Sequence, residues 1–291
     1  MGGLSKWILS LSVIVHCSWL CGGGEFLPSK KSKRHARAPA GRDAHAGMRV
    51  ADHIHTDESL HLNHMRGIME LRKRNPVTDV ELPPIDTNAP TKTYTATFSM
   101  GCFWAPDALF GSLHGVIRTR VGYAGGNKEN PTYNELGEHA ETVQIDYDPT
   151  QIAYRELLAQ FWANHDATIQ PSNTQYRSII FFHDDQQRRL AMETKLRQER
   201  TKGTIYTEIL PYERFYLAES YHQKYRLRHD HDLMKEFAAM YPDAREFMNS
   251  TAAARVNGYL EGYGQFSTMQ RELNRYGLSG DSVRRLIHKI K

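Results

Sequence analysis

The stretch "TYTATFSMGCFWAPDALFGSLHG", residues 93–115, decides the fold. Up to Met100 its side chains alternate in the period-two pattern of a strand with one buried face. Gly101 breaks the alternation, and after it Phe103, Ala108, Leu109 and Leu113 recur near one face of a helix. Pro106 falls in the first turn of that helix, where a missing N–H does no harm. Cys102 therefore stands at a strand-to-helix junction. There, amide N–H groups and the positive end of the helix dipole favour thiolate over thiol. A cysteine in this setting also fits the role of a small buried hydrophobe. On position alone both readings stand.

Working outward, alternating patterns predict strands near 94–98, 142–146, 178–182 and 206–210. Helical spacing predicts helices near 102–113, 152–164, 184–200 and 217–228. "VGYAGG", residues 121–126, reads as a tight turn, with Gly125 and Gly126 open to positive φ. The order implies an α+β fold, a two-layer sandwich with a mixed sheet, over residues 91–228. Residues 229–291 continue as a helical C-terminal extension of three or four helices, interrupted by Pro242 and several glycines. "HDHD", residues 229–232, reads as a solvated charge run rather than a metal site.

The N-terminal part has a different character. Residues 1–24 have one lysine, an apolar run and small residues at the end, the pattern of a secretory signal peptide. An uncleaved membrane anchor is the alternative. Cleavage removes Cys17 and Cys21 and leaves Cys102 as the single thiol, which in an oxidising compartment points weakly to redox chemistry. Residues 25–90 form a basic leader, one amphipathic helix at 56–74 and a linker with four prolines at 75–92. "KSKR", residues 31–34, offers a convertase-type cleavage site. The net charge of +4 resides largely in this leader, so the near-neutral remainder lacks the basic footprint of a nucleic-acid binder. The spacing of His53, His55, His61 and His64 makes no metal site.

Eight motifs then occur in one order: "GCFW" from Gly101, "VGYAGG" from Val121, "NPTY" from Asn130, "HAE" from His139, "YDP" from Tyr147, "FWANHD" from Phe161, "TQYRS" from Thr174 and "FYLAESYHQKY" from Phe215. Together they resemble the A-type peptide methionine sulfoxide reductases over residues 94–228. The resemblance implies a two-layer α+β fold and an oxidoreductase of methionine S-sulfoxide, peptide-bound or free. It implies that Cys102 attacks the sulfoxide sulfur and becomes a sulfenic acid. Glu141 is the matching proton donor, a role that needs a carboxyl still protonated near neutral pH. Tyr133 and Tyr176 match two tyrosines that hydrogen-bond the sulfoxide oxygen, and Phe103 and Trp104 match the aromatic walls around the substrate methyl group.

Three departures qualify the match. Only "NELGE" separates Tyr133 from His139, where family members carry a longer glycine-containing loop. "ATIQPSNTQYRS" has Pro171 where the family places an aspartate, and Ile169 and Asn173 where it places glycines, so one polar partner of the site is expected to be lost. No cysteine follows Cys102 in this chain, so an external thiol, a small thiol or a glutaredoxin-like protein, is expected to regenerate it. No metal or other cofactor is implied. The alternative reading is a catalytically weak relative that binds sulfoxide or methionine, or serves as a protein-interaction module.

Overall fold

The computed structural model describes residues 81–290. The signal-peptide pattern, the basic leader, the helix at 56–74 and the four leader histidines lie outside these residues.

Six strands form one mixed sheet: β1 (Tyr94–Met100), β2 (Val116–Ala124), β3 (Ala140–Tyr147), β4 (Ser178–Phe182), β5 (Glu208–Pro211) and β6 (Phe215–Leu217), in the order β5-β4-β1-β3-β2-β6. All neighbours are antiparallel except β4 and β5. Alternation along β1 and β3 sends Ala96, Phe98, Met100, Val143 and Ile145 to one face. There they pack against α2 (Trp104–Gly111), α3 (Tyr154–Ala163) and α4 (Asp185–Lys202) through Phe110, Leu157, Phe161 and Ala191. The opposite face carries polar pairs, Ser99 with Thr142 at 2.7 Å and Thr97 with His183 at 2.9 Å. The expected α+β layering with a mixed sheet is thus present.

Four local expectations need correction. Residues 116–120 and "VGYA" form strand β2, not a turn, and only Gly125 and Gly126 turn the chain. The helix expected at 217–228 is instead the end of β6, a 3-10 turn at Ser220–His222 and a short helix α5 (Tyr225–Arg228). Lys224 between them has φ 54, a left-handed conformation that no continuous helix tolerates. The proline-rich linker contains a helical turn, α1 (Pro84–Thr87), started by proline at its first position. Beyond Arg228 there are five helices rather than three or four: α6 (His231–Met240), α7 (Ala244–Asn249), α8 (Thr251–Leu260), α9 (Phe266–Glu272) and α10 (Gly280–Ile290).

These later helices build a second apolar cluster around Leu227, Phe237, Val256, Tyr259 and Tyr276, which also takes in Ile85 of α1. Asp86 of α1 accepts from the Thr251 N–H at 2.5 Å and the Ser250 hydroxyl at 2.9 Å, capping α8 from the linker side. The 229–232 run is also more than a solvated patch: buried Asp230 caps α6 and pairs with Lys289 of α10 at 2.6 Å. Helix α8 packs on α2 backbone to backbone. A Cβ on Gly111 would stand 2.6 Å from the Ala254 carbonyl oxygen, and one on Gly258 would stand 2.4 Å from that of Ala108. Buried Arg255 strengthens this contact by donating to the Gly111 carbonyl at 2.5 Å and the Val116 carbonyl at 2.9 Å. The helix that follows Cys102 is therefore held from behind by α8.

Candidate active site

The site lies at one end of the sheet, and strand register explains why. In the β1–β3 pairing Phe98 faces Val143, so two residues on, the end of β1 meets Glu141 near the start of β3. Tyr123 of β2 faces Glu141 from the other side. Ser178, the first residue of β4, pairs with Met100, which brings the preceding turn, Thr174–Tyr176, to the same end. β6 pairs with 122–124 and delivers the segment from Glu219 to Lys224. Gly101 leaves β1 with φ 87, a value that suits glycine and bends the chain so that half-buried Cys102 precedes the helix.

Glu141 is 1% exposed. Its Oε2 accepts from the backbone N–H of Phe103, the residue after Cys102, at 2.8 Å. Its Oε1 lies 2.5 Å from Nε2 of Gln175. A buried carboxyl is thereby tied by one bond to the cysteine turn and by another to the turn that ends in Tyr176. Both donors are neutral.

The aromatic residues gather beside it. Phe103 is buried against Tyr123 and, edge-on at 5.0 Å, against His222. Trp104 is half-buried, stacks on Tyr225 at 3.8 Å and donates from Nε1 to His222 Nδ1 at 3.2 Å. The Tyr133 ring lies 4.6 Å from that of His222, and its backbone N–H donates to Glu219 at 3.0 Å. The short loop before His139 thus still delivers Tyr133 to the cluster. His139 shapes that loop, accepting from the Gly126 N–H at 3.1 Å while its other ring nitrogen meets the Lys128 carbonyl at 2.8 Å. Arg177 pins the same loop by donating to the carbonyls of Gly125 and Glu138. Cys102, Phe103, Trp104, Tyr133, Glu141 and Tyr176 all belong to this one end of the sheet.

Sequence reasoning missed several residues that support the site. His222 is buried, and burial holds its imidazole neutral down to about pH 4. Its Nε2 is buried with no hydrogen-bond partner among the described residues. Glu219 bonds the Tyr123 hydroxyl at 2.7 Å, and burial, followed by this carboxylate, raises the Tyr123 phenol well above its ordinary value. Gln223 pairs with both the N–H and the carbonyl of Val121. Lys224 is 0% exposed, and its Nζ reaches Asp107 of α2 at 3.0 Å and the Thr119 carbonyl at 2.6 Å. Burial lowers the Lys224 pKa, an effect opposed by Asp107. The run "ESYHQK" carried the signal: six mostly polar residues in a motif whose neighbours are apolar.

The arrangement suits chemistry at a soft, polar-tipped substrate. It provides a thiol at a helix start, a buried acid beside it, phenols nearby and an aromatic wall. Among the described residues no cluster of three or more His, Cys, Asp or Glu could hold a metal ion, and no helix is long and apolar enough to cross a membrane.

The family model for peptide methionine sulfoxide reductase matches residues 94–255, more than half of the chain, and runs past Arg228 into α8. A "Peptide methionine sulfoxide reductase" of Drosophila melanogaster is 42% identical over 209 residues, 71% of this chain and 83% of that protein. A "Peptide methionine sulfoxide reductase MsrA" of Methanothermobacter thermautotrophicus is 46% identical over 142 residues, 45% of this chain and 84% of that one. Among solved structures, methionine sulfoxide reductase A of Corynebacterium diphtheriae is similar with a TM-score of 0.44 at 31% identity, covering 53% of this chain and 85% of that one.

Proposed function

The chain belongs to the peptide methionine sulfoxide reductase family, and from that premise we propose that it reduces methionine S-sulfoxide, peptide-bound or free, with Cys102 as the nucleophile. The observation that carries this reading is the buried Glu141 carboxyl, bonded to the N–H of the residue that follows Cys102. Glu141 on β3 is thereby tied to the turn that carries Cys102.

In the proposed reaction the Cys102 sulfur attacks the sulfoxide sulfur while Glu141 gives a proton to the sulfoxide oxygen, with the Tyr133 and Tyr176 hydroxyls bonding that oxygen. Phe103, buried, and Trp104, half-buried, form the aromatic walls that meet the methyl group. The new sulfur–sulfur bond and the sulfoxide S–O bond then break as the hydroxyl passes to the cysteine sulfur and methionine leaves. Methionine is reduced by two electrons, and Cys102 is oxidised by two to a sulfenic acid. Two external thiols then reduce the sulfenic acid, giving a disulfide and water and restoring the Cys102 thiol. Cys102 is the only cysteine among the described residues, which supports an external reductant, either a small thiol or a glutaredoxin-like protein. The signal-peptide pattern at residues 1–24 supports action in the secretory pathway or outside the cell, with tethering by an uncleaved anchor as the alternative.

The test is turnover of a methionine S-sulfoxide peptide with dithiothreitol, alongside Cys102→Ser. Wild type is expected to form methionine and the variant none. Methionine formation that survives Cys102→Ser refutes the mechanism.

A further inference from the structure

We propose that Gln175 is a positioning residue for Glu141: its amide stabilises the carboxylate left when Glu141 gives up its proton. This inference rests on the reductase reading above and deepens it. Gln175 Nε2 stands 2.5 Å from Glu141 Oε1, while the Phe103 N–H occupies Oε2 at 2.8 Å. Each oxygen therefore has a neutral donor.

The turn that presents Gln175 is built by the second departure from the family pattern. Asn173, which stands where a glycine is expected, accepts the Gln175 N–H on its side-chain oxygen at 3.0 Å. Its carbonyl accepts the Tyr176 N–H at 3.0 Å. Glycine has no side chain with which to make the first of these bonds. Two residues past Tyr176, Ser178 is locked to Met100 of β1, so the turn is anchored beside the cysteine. Asn173 thus helps to fix an amide in front of Glu141.

The chemistry follows from charge. Proton transfer to the sulfoxide oxygen leaves a negative carboxylate in a site 1% exposed, where water can offset little of the cost. A hydrogen bond to a charged group is stronger than one to the neutral acid. Gln175 therefore favours the product of proton transfer over its start. Being neutral, it does so without a permanent opposing charge. The titratable groups at this end of the sheet include Cys102 and Tyr176, adjacent in sequence to the two donors, Tyr123, the partner of Glu141 across the β2–β3 pair, and Tyr133 beside His222. Behind them stand Glu219, bonded to Tyr123, and His222, packed on Phe103.

The experiment uses the full chain and single-turnover formation of methionine from a methionine S-sulfoxide peptide, followed against pH. Gln175→Leu is expected to lower the maximal rate about 10- to 100-fold while leaving the half-saturating substrate concentration essentially unchanged. The high-pH limb, set by protonated Glu141, should move to higher pH, because a donor to the carboxylate has gone. Isosteric Gln175→Glu should move that limb further upward, since two adjacent carboxyls share a proton. Asn173→Gly should give a smaller loss of the same kind. A Gln175→Leu protein with wild-type rate and limb overturns the proposal. So does a loss confined to substrate affinity, or a rate loss with the limb unmoved in both Gln175 variants. A wild-type chain that forms no methionine overturns instead the proposed function on which this inference rests.

Discussion

Two buried carboxyls flank the start of α2, and their partners differ. Asp107 faces an ammonium: Lys224 Nζ lies 3.0 Å away, Thr119 and the Lys224 N–H also donate to it, and Asn257 of α8 approaches at 3.4 Å. Glu141, at the other side, accepts from a backbone N–H and an amide. An ion pair sealed from water fixes geometry, because separating it strands a charge. A carboxyl met by neutral donors has no opposing charge to strand when it takes up or gives a proton. The first carboxyl holds α2 to β2 and to the turn at Lys224, and the second lies beside Cys102, where the proposed reaction needs a proton donor.

The largest effect that could break this comparison is on rate. Glu141→Gln keeps the shape but removes the proton, and should slow methionine formation about 100- to 10,000-fold with little change in thermal midpoint. A variant that retains more than a tenth of the wild-type rate would remove Glu141 from the chemistry. For Asp107 the loss should fall on stability instead. Lys224→Met is expected to cost about 3 to 5 kcal/mol in denaturant unfolding, and adding Asp107→Asn should recover part of it. An unchanged unfolding midpoint in the single variant would show that the pair is not structural.

A smaller effect separates the two regions by pH. His222, two residues before Lys224, and His165 beneath α3 are both kept neutral by burial down to about pH 4. In the unfolded chain each titrates near 6.5, so the unfolded state binds more protons between these values. Their contribution is complete above about pH 6.5 and is lost as pH falls to about 4, roughly 3 kcal/mol for each. His222→Phe should flatten the stability profile across that window. A profile as steep as wild type would mean that His222 is already charged in the fold.

The sequence pattern made the cysteine turn legible because everything that defines it is local: alternation, Gly101, then helical spacing. The ordered motifs supplied the other site residues. Strand β2 was hidden because the glycines that follow it, Gly125 and Gly126, resemble a turn, although Val116–Ala124 pairs along its length with β3. The false helix at 217–228 has sound helix-forming residues, but Glu219, Gln223 and Lys224 make bonds to segments about 90 to 120 residues away, and these outweigh local propensity. Gln175 is invisible for the same reason, since its partner lies 34 residues earlier. Asp86 looked like part of an extended linker, yet it caps a helix 165 residues on.

The most direct test of the account is a single turnover without reductant. The full chain is mixed with excess methionine S-sulfoxide peptide, methionine is counted, and Cys102 is probed with a sulfenic-acid-specific reagent. One methionine per chain is expected, with the label on Cys102 and no further product until a thiol is added. Continued methionine formation without a thiol, or a full equivalent with Cys102 still a thiol, would contradict it.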